Sequence, residues 1–379
     1  MVAIASQHAD VEAGLHQHRQ AQRRVFAYVA TFASLFLGFF VLRRFGWQGS
    51  TELHTLMEAL AAMLAFIVGT MALVRFHSKK NSTFLFVGTG FLATGLLDGY
   101  HAVVTSSFFA ASFPSVPASL IPWSWVASRL FLSVLMFVSW WAWRREDRLG
   151  ESGRISERAV YVSVVCLTVF SFLFFALVPL GRAYFPEIVF HRPEEFVPAF
   201  FFLLALVGYL RKGHWRHDAF EHWLILSLIV GFMGQAMFMS FSGQLFDYEF
   251  DAAHALKKVS YVLMLIGLLI SMYHLFRRAE EHLEDERERA RRDPLTKLLN
   301  HGAIVSELER ALESSRTSKP GHYIAMVDVD GLKHVNDTYG HVVGDKLIVA
   351  VAEALDQEGA IAGRYGGDEF VIILPDATY

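Results

Sequence analysis

The sequence predicts a polytopic α-helical membrane bundle of eight spans, joined to a smaller cytoplasmic α/β unit. Three observations lead there. The chain is 54% hydrophobic and 14% aromatic with a positive mean hydropathy, which is not the balance of a soluble protein of 379 residues. Eight apolar runs recur along the first three-quarters of it. Beyond residue 275 the composition turns abruptly to charge and then to strand-helix alternation.

A span needs about 20 mostly apolar residues to cross a hydrocarbon core about 30 Å thick. The runs that meet this lie at 25 to 42, 54 to 74, 83 to 104, 122 to 143, 158 to 180, 196 to 211, 220 to 242 and 253 to 275. The sixth is the weakest, being short and preceded by Pro193 and Pro198. Residues 1–24 are polar and His-rich with no apolar core, so they read as a cytoplasmic segment and no cleavable signal peptide is expected. Residues 25–275 form the membrane domain.

Lys and Arg gather in alternate loops: Arg19, Arg23 and Arg24; Arg75, Lys79 and Lys80; Arg144, Arg145, Arg148, Arg154 and Arg158; Arg211, Lys212 and Arg216. The positive-inside rule places these loops in the cytoplasm. Loop 105–121 carries no charge, 181–195 offsets Arg182 and Arg192 with Glu187, Glu194 and Glu195, and 243–251 is acidic; Arg43 and Arg44 are the exception. Eight spans then put both termini in the cytoplasm. A net charge of -3 argues against a nucleic-acid partner. The single Cys166 can form no intrachain disulfide.

Residues 276–292 are nearly all charged, "RRAEEHLEDERERARR" over 277 to 292, with no Gly or Pro. They read as a helical linker, either solvated or a two-stranded coiled coil. In 293–379, "DPLTKLLNHGAIVSELERALESS" reads as a helix opened by an Asp cap and an early Pro. "YIAMVDVD" reads as a buried strand ending in two acids, "GDKLIVAVAEAL" as a helix, and "RYGGDEFVIIL" as a turn between two strands.

The acids sit at strand ends. Asp328 and Asp330 close the first strand, and Asp368 and Glu369 follow Gly366 and Gly367 in the hairpin turn. If those strands are neighbours, Asp328 and the acid pair converge. Clustered carboxylate oxygens suit Mg²⁺, which keeps ligand positions for water and phosphate. The glycines leave room for phosphate to approach the backbone, and Lys333 follows as a point charge. An isolated acid pair on a turn is more often simply solvated.

The set "DPLT", "DVDGLKHVNDTYGHVVGDKL" and "RYGGDEF", in this order and spacing, resembles the GGDEF family of diguanylate cyclases, which condense two GTP into cyclic di-GMP on a nucleotidyl-cyclase-like α/β fold. The resemblance implies that Asp328, the carbonyl of Val329, Asp368 and Glu369 hold Mg²⁺ or Mn²⁺. It implies that Asp368 takes the proton of the attacking 3′-hydroxyl with Glu369 beside it, Asn336 and Asp345 read guanine, His341 contacts substrate and Lys333 contacts phosphate. One GTP per site implies a homodimer, and the product implies downstream cyclic di-GMP receptors. Two departures stand out. Where many relatives carry an inhibitory Arg-x-x-Asp, this chain has "QEGA" at 357 to 360. A full domain of the family also continues past the hairpin, so 293–379 is expected to be a partial GGDEF domain, with the activity of the chain as it stands left open.

Polar residues inside apolar spans are costly and mark function. His54 and Glu58 are four apart; Asp98 and His101 are three apart; His254 and Lys257 are three apart; Arg129 follows Trp125 by one turn. Each spacing puts both side chains on one helix face, and the topology sets all of them toward the outer ends of their spans. Three readings stay open: a transition-metal site or a haem held by two histidines, a structural salt-bridge network, or a site for an anionic or amphipathic ligand. In order, "HTLME", "DGYH", "WVASR" and "HALK" make residues 52–275 resemble a membrane-associated sensor (MASE-type) domain. The expected function is a membrane-bound sensory diguanylate cyclase controlled by a ligand or metal in the outer part of the membrane domain. The alternatives are a non-catalytic GGDEF nucleotide receptor and a membrane metal-binding or transport protein. A Met stripe around Gln235, with Met233, Met237 and Met239, reads as core or lipid-facing rather than as thioether copper ligands.

Overall fold

The computed structural model describes residues 2–44, 46–106, 115–317, 322–357 and 359–375. Part of the uncharged loop (107–114) and Glu358 of "QEGA" lie outside them. Among the described residues, eight helical segments are long and apolar enough to cross a membrane: α1 (Val2–Leu42), α2 (Thr51–Ser78), α3 (Ser82–Thr105), α4 (Pro117–Leu149), α5 (Glu157–Leu177), α6 (Phe196–Lys212, preceded by a 3-10 turn from Pro193), α7 (Ala219–Met233, continued by a π turn and a 3-10 turn to Phe241) and α8 (Tyr248–Arg291).

Local chemistry sets their ends. Ser50 caps α2 by accepting from Leu53 N at 3.2 Å, Asn81 caps α3 through Thr83 N at 2.8 Å, and Asp218 caps α7 through Glu221 N at 2.8 Å. Pro198 does not break α6, because it falls in the first turn, where its missing N–H has no intrahelical partner to lose. The polar segment 1–24, read from sequence only as a tail, belongs to α1 from Val2 onward. Its Ala, Gln, Glu and Arg content favours helix.

The chain divides into two compact units, Met1–His274 and Leu275–Tyr379. In the first, α2 and α3 approach closely through small residues: Ala61, Ala65, Gly69 and Ala72 are all buried. A Cβ on Gly69 would stand 2.8 Å from Leu92 N, closer than side chains pack. Phe91, Leu132, Tyr209, Leu224 and Tyr261 fill the centre of the bundle. Large apolar side chains on α5, such as Val162, Val165, Phe170 and Leu173, are exposed, as a lipid-facing surface requires. Arg43, the exception in the charge pattern, is paired with Glu249 at 2.9 Å.

Helix α8 continues from the eighth apolar run through the charged stretch without a break. Exposed pairs Arg277–Glu281 at 3.3 Å and Arg289–Glu286 at 3.2 Å line its charged part.

In the second unit, α9 (His301–Thr317), β1 (His322–Asp328), α10 (Leu332–Tyr339), α11 (His341–Leu355), β2 (Ile361–Arg364) and β3 (Glu369–Pro375) follow in chain order. The sheet order is β1-β3-β2, antiparallel throughout. Successive residues of β3 face opposite sides. Phe370 packs with Leu332, Ile348 and Ala352 of α10 and α11, while Val371 and Ile373 pack with Ile304 and Ala311 of α9. The sheet therefore lies between α9 and the α10–α11 pair.

Two sequence expectations need correction here. Asp293 does not cap a helix. Its Oδ1 accepts from Thr296 N at 2.8 Å and Thr296 Oγ1 at 2.9 Å, closing a turn, and Leu299 then bridges to Gly363. The helix starts at His301, capped by Asn300 Oδ1 on Ala303 N at 3.0 Å. An aspartate before Pro-Leu-Thr writes an Asx turn and a helix cap in the same letters. Strand β1 was read as buried, yet Tyr323, Ile324 and Met326 are exposed. Among the described residues it pairs with β3 alone.

Candidate functional site

In the second unit the antiparallel register sets Asp328 opposite Glu369, and Val329 N donates to the carbonyl of Asp368 at 3.2 Å. The two strands are neighbours, so the expected convergence of strand-end acids occurs at the backbone level. The turn is tied back on itself: Tyr365 N and Gly366 N both donate to Glu369 O, at 2.8 and 3.2 Å. A Cβ on Gly366 would lie 2.8 Å from Glu369 Oε2, so a larger residue there would displace that carboxylate. Around Gly367 the space is open, with nothing within 4 Å of where a Cβ would project.

Arg364, to which the sequence assigns no role, and Asp293, expected there only as a helix cap, hold this turn. Arg364 donates through Nη2 to Gly367 O at 2.6 Å and through Nη1 to Asp293 Oδ1 at 3.3 Å, linking the "DPLT" turn to the glycine turn. Partial burial opposes ionisation of the Asp293 carboxyl, but the N–H and hydroxyl of Thr296 and the Arg364 guanidinium outweigh it and hold its pKa below the ordinary range.

Lys333 is exposed in the first turn of α10, and His341 and Asp345 are exposed in the first two turns of α11. Asn336 on α10 turns its Oδ1 inward, where it is buried without a hydrogen-bond partner. It rests on Gly344, whose place no larger residue could take without overlapping that oxygen.

In the first unit the separated polar residues of the sequence come together. His54, Glu58, Asp98, His101, Arg129, His254 and Lys257 are each no more than 3% exposed. They come from the first two turns of α2, the last two of α3, the early turns of α4 and the second and third of α8, so they share one end of the bundle. Lys257 Nζ contacts Glu58 Oε2 and Asp98 Oδ1 at 3.3 Å. Asp98 also accepts from Ser128 and from Tyr261 OH at 2.9 Å, with Arg129 Nη2 at 3.8 Å. Two acids and two bases make this part balanced in charge.

Beside it the three imidazoles meet. His54 Nε2 and His101 Nε2 are 3.2 Å apart, the His54 and His254 ring centres 4.5 Å. One ligand atom from each of the three lies within 4.8 Å of the others, and among the described residues no other trio of His, Cys, Asp or Glu does so. Trp125 covers His254 at 4.0 Å between ring centres and lies 4.7 Å under the Lys257 ammonium.

Sequence reasoning missed part of this layer. Arg192 and Glu195, which the sequence offers only as offsetting charges of loop 181–195, are both fully buried and paired at 2.5 Å. Glu195 Oε2 accepts from Trp125 Nε1 at 3.3 Å, and Arg192 Nη1 reaches Met239 Sδ at 2.8 Å, which gives that thioether a partner other than a metal. Ser124, Ser128 and Tyr261 were also passed over, although Tyr261 stands four residues after Lys257 and Ser124 one before Trp125.

Comparison with known proteins divides along the same line. Residues 290–379 match the model of the diguanylate cyclase GGDEF domain, and residues 47–273 match the membrane-associated sensor domain MASE3. The chain is 37% identical over 97 residues to the diguanylate cyclase DgcP of Pseudomonas aeruginosa, covering 25% of this chain and 14% of that protein. It is 30% identical over 132 residues to the probable diguanylate cyclase DgcT of Escherichia coli, covering 34% and 28%. The crystal structure of the coiled coil and GGDEF domain of DgcB from Caulobacter crescentus, in complex with c-di-GMP, shares 36% identity with a TM-score of 0.27, over 30% of this chain and 61% of that one. The chain thus spans well under half the length of these two curated relatives. With 47–273 matched as one domain, more than half its length, the chain belongs to the membrane-associated sensor domain family and carries a GGDEF segment at 290–379.

Proposed function

We infer that the chain is a membrane-bound sensory diguanylate cyclase, joining two GTP into cyclic di-GMP under control of the buried polar site in its membrane domain. The observation that carries this reading is the register of Asp328 against Glu369, with Val329 bonded to Asp368, beside a turn left open at Gly367.

Three carboxylates and the Val329 carbonyl are hard oxygen donors, a set that fits Mg²⁺ or Mn²⁺. Asp328, Val329, Asp368 and Glu369 would hold the ions, which when bound neutralise the charge of the triphosphate. The chain's own residues do the rest. Asp368, at the open turn, accepts the proton of the 3′-hydroxyl as that oxygen attacks the α-phosphate of the partner's GTP and pyrophosphate leaves. A second, reciprocal attack closes the ring and releases a second pyrophosphate. Lys333 supplies a point charge to phosphate, Asn336 and Asp345 hydrogen-bond guanine, and His341 contacts substrate. One GTP per domain requires two domains face to face, hence a homodimer.

The GTP requirement and the basic loops support a bacterial inner-membrane protein with both termini cytoplasmic, feeding downstream cyclic di-GMP receptors. Helix α8 carries His254 and Lys257 near its start and runs unbroken to Arg291, a covalent route from the polar site toward the GGDEF segment. The test is chromatographic detection of cyclic di-GMP made from GTP by the purified full-length protein in lipid nanodiscs. Turnover that persists undiminished in Asp368→Ala overturns the assignment.

A further inference from the structure

We propose that His54, His101 and His254 form a binding site for a borderline divalent transition metal ion, Zn²⁺ or Cu²⁺, and that this ion competes with the Lys257 ammonium for Glu58. The proposal rests on reading the membrane unit as a sensor and names what it senses.

The hydrogen bonds fix which nitrogens are free. His254 Nδ1 donates to Phe250 O at 2.7 Å, so its Nε2 carries a lone pair, and that atom is buried with no hydrogen-bond partner. Ser124 Oγ gives its proton to Leu120 O at 2.7 Å and therefore accepts from His101 Nδ1, also at 2.7 Å. His101 Nε2 is then a lone pair as well. His54 faces it with Nε2, while its own Nδ1 is buried and unpartnered. Two of the three imidazole protons are thus spent on Phe250 O and Ser124 Oγ, which leaves one proton for three ring acceptors, in residues of at most 1% exposure. Orphaned buried acceptors are costly, and a cation that takes their lone pairs removes the cost.

The His54–His101 pair has the dimensions of a shared ion. Two nitrogens each about 2.1 Å from one tetrahedral ion stand about 3.4 Å apart, and His54 Nε2 and His101 Nε2 are 3.2 Å apart. Three imidazoles select Zn²⁺ and Cu²⁺ over Mg²⁺ or Ca²⁺. A haem would need its two histidines on opposite faces of a macrocycle, and rings this close leave it no room. The Phe250 carbonyl and Ser124 act as the outer partners that orient metal-binding histidines.

Glu58 links the ion to the rest of the layer. Its Oε2 is held by Lys257, whereas Oε1 is buried without a hydrogen bond and lies 3.7 Å from His254 Nε2. A divalent ion at the histidines attracts this carboxylate and repels the ammonium, which is left to Asp98. Helix α8 carries both His254 and Lys257, so it bears the change directly.

The test uses full-length protein purified with a histidine-free tag, stripped with chelator, placed in nanodiscs and titrated with Co²⁺ as spectroscopic probe and Zn²⁺ as competitor. The expected result is one Co²⁺ per chain, with visible ligand-field bands displaced by Zn²⁺. His101→Gln and His254→Gln should weaken binding by more than the roughly 10–100-fold that loss of an outer-shell partner costs, and Ser124→Ala by an amount within that range. Lys257→Met, which removes the competing cation, should bind more tightly, an outcome that a purely structural cluster would not give. Folded, monodisperse wild-type protein without Co²⁺ bands at millimolar ion overturns the proposal, as do bands that survive in both histidine variants. Should those variants not fold, the wild-type titration and Ser124→Ala decide. No GTP turnover is involved, so this failure and that of the cyclase reading are distinguishable.

Discussion

Asp328 stands directly across the β1–β3 ladder from Glu369, and the residue after it, Val329, is bonded to the carbonyl of Asp368 at 3.2 Å. The acids are held by backbone pairing rather than by their own side chains, so changing a carboxylate to its amide leaves the framework intact. Asp368→Asn is therefore expected to cut cyclic di-GMP formation by about 10²–10⁴-fold, the range for loss of a positioned general base, at unchanged thermal stability. Asp328→Asn should instead raise the Mg²⁺ concentration needed for half-maximal rate. Initial rates at a series of Mg²⁺ concentrations separate the two; a common profile for both variants would contradict the division of roles.

Asp293 and Arg364 form a joint, 3.3 Å apart, between two turns of the second unit. The folded-state pKa of Asp293 is depressed, so the stability it contributes is present above the unfolded carboxylate value of about 3.9 and is lost as pH falls through the lower folded value. Hydrogen exchange of residues 293–300 should accelerate on acidification below about pH 4, beyond the intrinsic pH dependence of the amides. Asp293→Asn, lacking the titration, should show faster exchange at neutral pH and a flatter profile. Matching profiles for variant and wild type would rule the joint out.

The membrane spans were legible because apolar length is a one-dimensional property and the bilayer accepts few solutions to it. The polar layer was legible for the same kind of reason: His54 with Glu58, and Asp98 with His101, declare a shared face by spacing alone. Arg192 and Glu195 were not legible, since loop charges ordinarily face water and only the tertiary structure buries this pair. Asp293 misled because capping a helix and closing an Asx turn call on the same side chain. Strand β1 misled because apolar composition alone does not say which side chains of a strand are covered. In the GGDEF segment, motif order pointed to Asp328 and the acid pair, but Arg364 as a support of the turn emerged only from its bonds to Gly367 and Asp293.

Lys257 bonds two buried carboxylates of the polar layer, Glu58 and Asp98. Lys257→Met leaves a carboxylate without its cation, and breaking a buried pair in this way costs about 3–5 kcal/mol. The double variant Glu58→Gln with Lys257→Met removes one charge of each sign and is expected to recover a large part of that loss. Unfolding in detergent titrations, analysed as a double-mutant cycle, gives the interaction term. Additive single effects would show that the network contributes no coupling.

Gly344 offers the sharpest test of substrate reading because it acts on Asn336 without altering it. The Asn336 Oδ1 occupies the space where a Cβ of residue 344 would project, and that oxygen is buried with no hydrogen-bond partner, free to receive a donor from a bound base. Gly344→Ala pushes the carboxamide out of this position while leaving Asp328, Asp368 and Glu369 on the far strands untouched. A lost hydrogen bond of about 0.5–1.5 kcal/mol corresponds to a KM for GTP raised roughly 2- to 12-fold with kcat nearly retained. Overpacking adds a stability loss of about 1–3 kcal/mol, so the kinetics belong at a temperature where the variant is folded. Gly367→Ala is the matching control in the turn: nothing lies within 4 Å of its Cβ, so the fold should be unchanged and any rise in KM reflects the approach of phosphate. If Gly344→Ala lowered kcat and left KM alone, Asn336 would not be a guanine contact.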